Sequence, residues 1–120
     1  MEQIKLFDSE LRLMEIIWSK SPLSAKEISL IAAVEIGWNK NTTYTVLKKL
    51  VEKKAVQRTN PNFLCEPLIT REEVQAEETR KLINKLYNGS LKTFFASFLQ
   101  REKLSEEDVE ELKKIIREKL

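Results

Sequence analysis

The sequence predicts a mainly α-helical chain: three helices and a β-hairpin, followed by three further helices. Three observations carry this. Glycine and proline are scarce, at two and three of 120 residues, which suits helices joined by few tight turns. Apolar residues recur at three- and four-residue spacing along most of the chain, interrupted by charges. One stretch, residues 55–68, breaks that period and centres on the turn signal Asn60-Pro61-Asn62.

Each element has its own local warrant. Asp8 is expected to cap the first helix, whose stripe is Leu11, Met14, Ile17 and Trp18. Ser21-Pro22 ends it. Ser24 and Glu27 have capping-box spacing and open a second helix from about Ala25 to Val34, with Ile28, Ile31 and Ala32 inward. Gly37 marks a turn, and Asn39 caps a third helix reaching about Lys54. Val56, Arg58 and Thr59 read as a strand, Phe63 to Glu66 as its return, and Pro67 as its end. Thr70 and Glu73 form another capping box, with Ile69 and Val74 as a hydrophobic staple, for a helix reaching about Tyr87. Asn88-Gly89 stops that helix and Ser90 starts the next. Ser105 and Asp108 open the last, with Leu104 and Val109 as a second staple.

Three helices followed by a β-hairpin is the winged-helix variant of helix-turn-helix. Residues 1–69 are expected to form that winged-helix DNA-binding domain, and residues 70–120 a helical dimerisation domain. The second half carries three apolar stripes with few partners. Ile83, Leu86 and Tyr87 lie on one helix; Leu91, Phe94, Phe95, Phe98 and Leu99 on the next; Val109, Leu112, Ile115 and Ile116 on the last. Open stripes of that size mark an interaction surface, and a second copy of the chain covers them most economically. The competing reading folds these helices back on the first domain.

Composition narrows the function. There is no histidine and one cysteine, so neither a Cys/His zinc site nor a disulfide framework fits within one chain. Ser-His-Asp and Cys-His nucleophile systems are excluded as well. No cofactor or metal is expected. The paired glutamates Glu72-Glu73, Glu77-Glu78 and Glu106-Glu107 sit near helix starts or on solvent faces, where the helix dipole accounts for them. No stretch approaches the roughly 20 apolar residues that span a bilayer. No signal peptide is visible, and the lone thiol suits a reducing cytoplasm. Cys65 falls on the inward wing face by alternation and reads as core filler.

Net charge is only +2, but residues 39–58 hold six basic side chains against one acid, a local +5. Residues 71–120 balance 11 bases with 11 acids. A local basic patch on a near-neutral chain points to an anionic contact surface. Lysines near a helix C-terminus also suit the dipole, which is the plainer account of Lys53 and Lys54. The third helix, WNKNTTYTVLKKL, spends its polar face on residues that form helices poorly. Asn41, Thr42 and Thr45 are short and polar and point away from Leu47 and Leu50. They suit base edges, Asn by bidentate pairing with adenine and Thr by its methyl against thymine. Lys40, Lys48, Lys49 and Arg58 suit phosphates. Asn39 reads only as a cap, and Thr43 points toward the core.

These stretches resemble the penicillinase-repressor (BlaI/MecI/CopY) family over nearly the whole length. DSELRLMEIIW at Asp8 to Trp18 is similar to the family's opening helix, and WNKNTTYTVLKKLVEKKAV to its recognition-helix pattern. LYNGSLKTFFASFLQREKLSEEDVEELKKII is similar to its C-terminal dimerisation helices. The resemblance implies a homodimeric winged-helix repressor on a double-stranded DNA operator of dyad symmetry. It also implies, as in many relatives, control of β-lactam resistance genes. There, a membrane sensor system leads to proteolysis within the dimerisation helices, aligned here with Ser97-Phe98. The sequence departs from the pattern at Lys40 (often Pro), Lys54 (often Gly), Cys65 (often Tyr) and Ser97 (usually Asn). A C-terminal cysteine cluster of the copper-responsive type is absent. Two other readings compete: a winged-helix protein-interaction module, which has no need of the +5 stretch, and an enzyme, for which the chain offers little to build a site.

Overall fold

A computed structural model describes residues 4–119. Residues 1–3 and 120, the outer ends of the two expected domains, lie outside the described residues. The element order is α1 (Asp8–Lys20), β1 (Leu23–Ser24), α2 (Ala25–Glu35), α3 (Lys40–Glu52), β2 (Val56–Thr59), β3 (Leu64–Pro67), α4 (Arg71–Leu86), α5 (Leu91–Arg101) and α6 (Glu106–Lys119). The chain divides into two compact units, Met1–Gln75 and Ala76–Leu120.

In the first unit, α1, α2 and α3 pack on a small antiparallel sheet of order β1-β3-β2. Arg58 pairs with Cys65, and Val56 with Pro67, across the hairpin. The core joins Leu13, Met14 and Ile17 of α1, Ile28 and Ala32 of α2, and Val46, Leu47 and Leu50 of α3. Val56 and Cys65 of the hairpin close it. This is the winged-helix arrangement. β1 has no counterpart in the sequence reading: its two residues, Leu23 and Ser24, pair with Cys65 and Leu64. Two residues are too few to show a strand period.

The caps explain where the helices start. The Ser24 hydroxyl accepts from the Glu27 N–H at 3.1 Å, and the Glu27 carboxylate accepts from the Ser24 N–H at 3.0 Å. That backbone bond, then the hydroxyl, holds the Glu27 carboxyl below the usual carboxylate range. Thr70, Ser90 and Ser105 each accept a backbone N–H three residues on. Asp8, however, is already the first residue of α1. The cap position is Phe7, whose N–H donates to Glu10 Oε1 at 2.7 Å. The expected return strand also shifts by one residue. Phe63 has φ of 50°, which left-handed turn geometry prevents from joining the ladder. α3 ends at Glu52, short of Lys54, because Lys54 takes φ of 64° and turns the chain into the wing.

The units meet inside α4, after Gln75, whereas the turn signals lie near residue 70. The reason is that Ile69 and Val74 pack against the first unit's core. In the second unit, Tyr87 meets Phe94 edge-on at 5.3 Å, and Phe94 stacks on Phe98 at 5.7 Å.

Candidate nucleic-acid interface

The site is built on α3. Asn39 Oδ1 accepts from the Thr42 N–H at 2.8 Å and fixes the helix start. Thr43 is fully buried, and its hydroxyl donates back to the Asn39 carbonyl at 3.2 Å. With Val46, Leu47 and Leu50 it anchors the inner face. The opposite face is therefore turned out: Lys40, Asn41, Thr42, Thr45, Lys48 and Lys49 are all exposed. Thr45 Oγ1 donates to the Asn41 carbonyl at 2.9 Å, which holds one rotamer and fixes where its methyl points. Lys40 lies over the Tyr44 ring at 5.7 Å.

Arg58 is exposed on β2, away from α3 in the chain. Its guanidinium lies over Phe63 at 5.2 Å, which braces it on the wing. Cys65, paired with it across the hairpin, is buried, and desolvation raises its thiol pKa. Lys53 is not part of this surface. Its Nζ donates to Glu10 Oε1 at 2.6 Å and to the Lys5 carbonyl at 2.8 Å, and it lies over Phe7 at 4.4 Å. Sequence reading missed this pair because 43 residues separate its members.

In the second unit the apolar stripes are largely open in one chain. Leu86, Leu91, Phe95, Phe98, Leu99 and Ile116 are exposed, while Tyr87, Phe94, Val109 and Leu112 are half-buried. Ile83 differs: it is 2% exposed, so one chain already covers it and leaves it little to offer a partner. Ser97 and Phe98 lie within α5, so the bond between them is held in a helix. Among the described residues, no helix is long and apolar enough to cross a membrane.

Comparison with known proteins adds the family. The penicillinase repressor family model matches residues 6–118. The chain belongs to this family. Relatives of the penicillinase repressor family with similar sequences include the methicillin resistance regulatory protein MecI of Staphylococcus aureus. It is 27% identical over 117 residues, covering 96% of this chain and 95% of the relative. The penicillinase repressor of Bacillus licheniformis is 28% identical over 116 residues, covering 95% and 91%. The solution structure of the DNA-binding domain of the repressor BlaI matches with a TM-score of 0.55 and 26% identity. It covers 61% of this chain and 93% of that domain. The penicillinase repressor family consists of repressors, and its members are not enzymes.

Proposed function

We propose that this chain is a homodimeric repressor that binds a DNA operator of dyad symmetry and acts in the cytoplasm. The observation that carries the reading is the outward face of α3. It gathers Asn41, Thr42 and Thr45 between Lys40, Lys48 and Lys49 on a helix anchored by its buried side. In this reading Asn41, Thr42 and Thr45 contact bases, while Lys40, Lys48, Lys49 and Arg58 hold phosphates. Two copies meet through the open faces of α5 and α6 and the end of α4. Linking two half-site contacts supplies affinity that one chain lacks. The names of the relatives favour control of a penicillinase or methicillin-resistance gene. Cutting the chain at Ser97-Phe98, downstream of a membrane sensor protease system, would unlink the halves and release the operator.

The test is a titration of the full chain onto a duplex from upstream of its own gene, beside a shuffled duplex, at two salt concentrations. Tight binding to the first alone, at two chains per site, is the expected result. Equally weak binding to both rejects that duplex as the operator and favours a winged-helix module for another partner.

A further inference from the structure

The turn between α4 and α5 carries a chemistry of its own. Of the six asparagines in the chain, Asn88 alone is followed by glycine. A glycine leaves the backbone nitrogen after an asparagine open to approach, because it has no Cβ. That nitrogen, once it gives up its proton, can attack the carboxamide carbon of the asparagine side chain. The C–N bond to the side-chain nitrogen breaks, ammonia leaves, and a five-membered succinimide remains. Water then opens the ring at either carbonyl. One opening gives aspartate; the other gives isoaspartate, in which the main chain runs through the former side chain. Asn88 is exposed, so water and base reach it.

The folded turn withholds the nucleophile. Asn88 takes φ of 50° and Gly89 φ of 78°, two left-handed residues in succession that close the end of α4. The Gly89 N–H, whose proton must leave before the ring can form, donates to the Ile83 carbonyl at 3.1 Å. Ile83 is buried, which fixes that carbonyl in place. Arg80 Nη2 donates to the Gly89 carbonyl at 2.7 Å and holds the same residue from its other side. The Ser90 N–H donates to the Tyr87 carbonyl at 2.9 Å and completes the turn. All of these residues belong to the second unit. We propose that Asn88 is a modification site for spontaneous deamidation, closed by the bonds from Gly89 to Ile83 and Arg80, and opened when the last turn of α4 frays. Isoaspartate lengthens the main chain by one methylene, so the modified turn cannot re-form these bonds together. The contact that the turn sets up, Tyr87 edge-on to Phe94 at 5.3 Å, is loosened with it.

The test incubates the full chain at one protein concentration and neutral pH, folded in buffer and unfolded in urea. Peptide mass spectrometry follows each asparagine, with electron-transfer fragmentation to separate isoaspartate from aspartate. In urea, Asn88 is expected to react first of the six. In buffer its rate is expected to fall by about tenfold or more, the mark of chemistry that waits for a local opening. Arg80→Ala is expected to speed the folded chain by about fivefold, the fold-change for one lost hydrogen bond, and to leave the rate in urea unchanged. Folded chains carrying isoaspartate at position 88, separated by chromatography, should exchange the amides of residues 87–94 faster than unmodified ones. The proposal is overturned if Asn88 reacts as fast in buffer as in urea, or if another asparagine outpaces it in urea. It is also overturned if an Arg80→Ala chain with wild-type helix content keeps the wild-type rate. The comparison of buffer with urea needs no variant, so it decides the matter even where Arg80→Ala fails to fold. Unchanged amide exchange after modification would overturn the structural consequence drawn for the turn.

Discussion

Lys53 Nζ stands 2.6 Å from Oε1 of Glu10, joining the end of α3 to the first turn of α1. The Glu10 side chain is 2% exposed, and the same oxygen accepts the Phe7 N–H. Lys53 thus holds a structural charge and is withdrawn from the basic surface that sequence alone would grant it. Removing one member of a buried pair strands the other. Lys53→Met is expected to lower stability by about 3 kcal/mol, read from denaturant midpoints. It should leave the salt slope of DNA binding unchanged. Lys48→Ala should do the reverse, with little effect on stability and a slope reduced by about 0.9. A slope change with Lys53→Met would add that residue to the phosphate set.

Thr45 separates two ways of reading a base. Its hydroxyl proton is already committed to the Asn41 carbonyl, which leaves the methyl and an acceptor oxygen to face a base. Thr45→Val keeps a methyl there and should hold operator affinity. Thr45→Ser should cost about 1 kcal/mol on the operator and less on random DNA. Binding curves on both duplexes decide this, and equal losses on both would reject base reading by Thr45.

Phe98 is 47% exposed in one chain although it stacks on Phe94. Phe98→Glu should weaken self-association, and helix content should fall with it as the protein is diluted. A rise of about 30-fold in the dimer dissociation constant, by sedimentation, would match an interface hot spot of ~2 kcal/mol.

Cys65 is fully buried, and its raised pKa leaves little thiolate at neutral pH. The thiolate is the reactive form. Alkylation of the folded chain should therefore be slow, speed up as pH rises, and become fast on unfolding. Mass-spectrometric labelling with and without denaturant checks this. Rapid labelling of the native chain would show that the hairpin opens.

The parts legible in the sequence were those written locally. Ser24 with Glu27, Asn39, Thr70 with Glu73, Ser90 and Ser105 each announce a helix start within four residues, and each forms the expected bond. Thr43 and Cys65 fall inward by periodicity alone. The start of α1 was misplaced because Glu10, three residues on, satisfies the N–H of Phe7, a residue with no capping group of its own. Leu13 and Ile16 lie off the stripe read for α1, yet both are buried, since α1 packs against α2, α3 and β3 together. The Lys53–Glu10 pair and the Arg71–Glu15 fork join residues more than 40 positions apart, so no spacing rule could find them. Of the candidate contact residues, α3 brings six onto one face, and Arg58 stands apart on the wing.

The core residues are unevenly shared. Of the fully covered apolar side chains among the described residues, the second unit contributes only Ile83. On the dimeric reading proposed above, a helical unit with so little inside has its stability set by mass action with a second copy. Heating should then show two transitions, with only the lower one rising as protein is concentrated. For a repressor of this design, the number of molecules in the cell would be a control variable in its own right. Halving the supply would do more than halve the occupied operators, because the unpaired chain loses both its partner and its second fold.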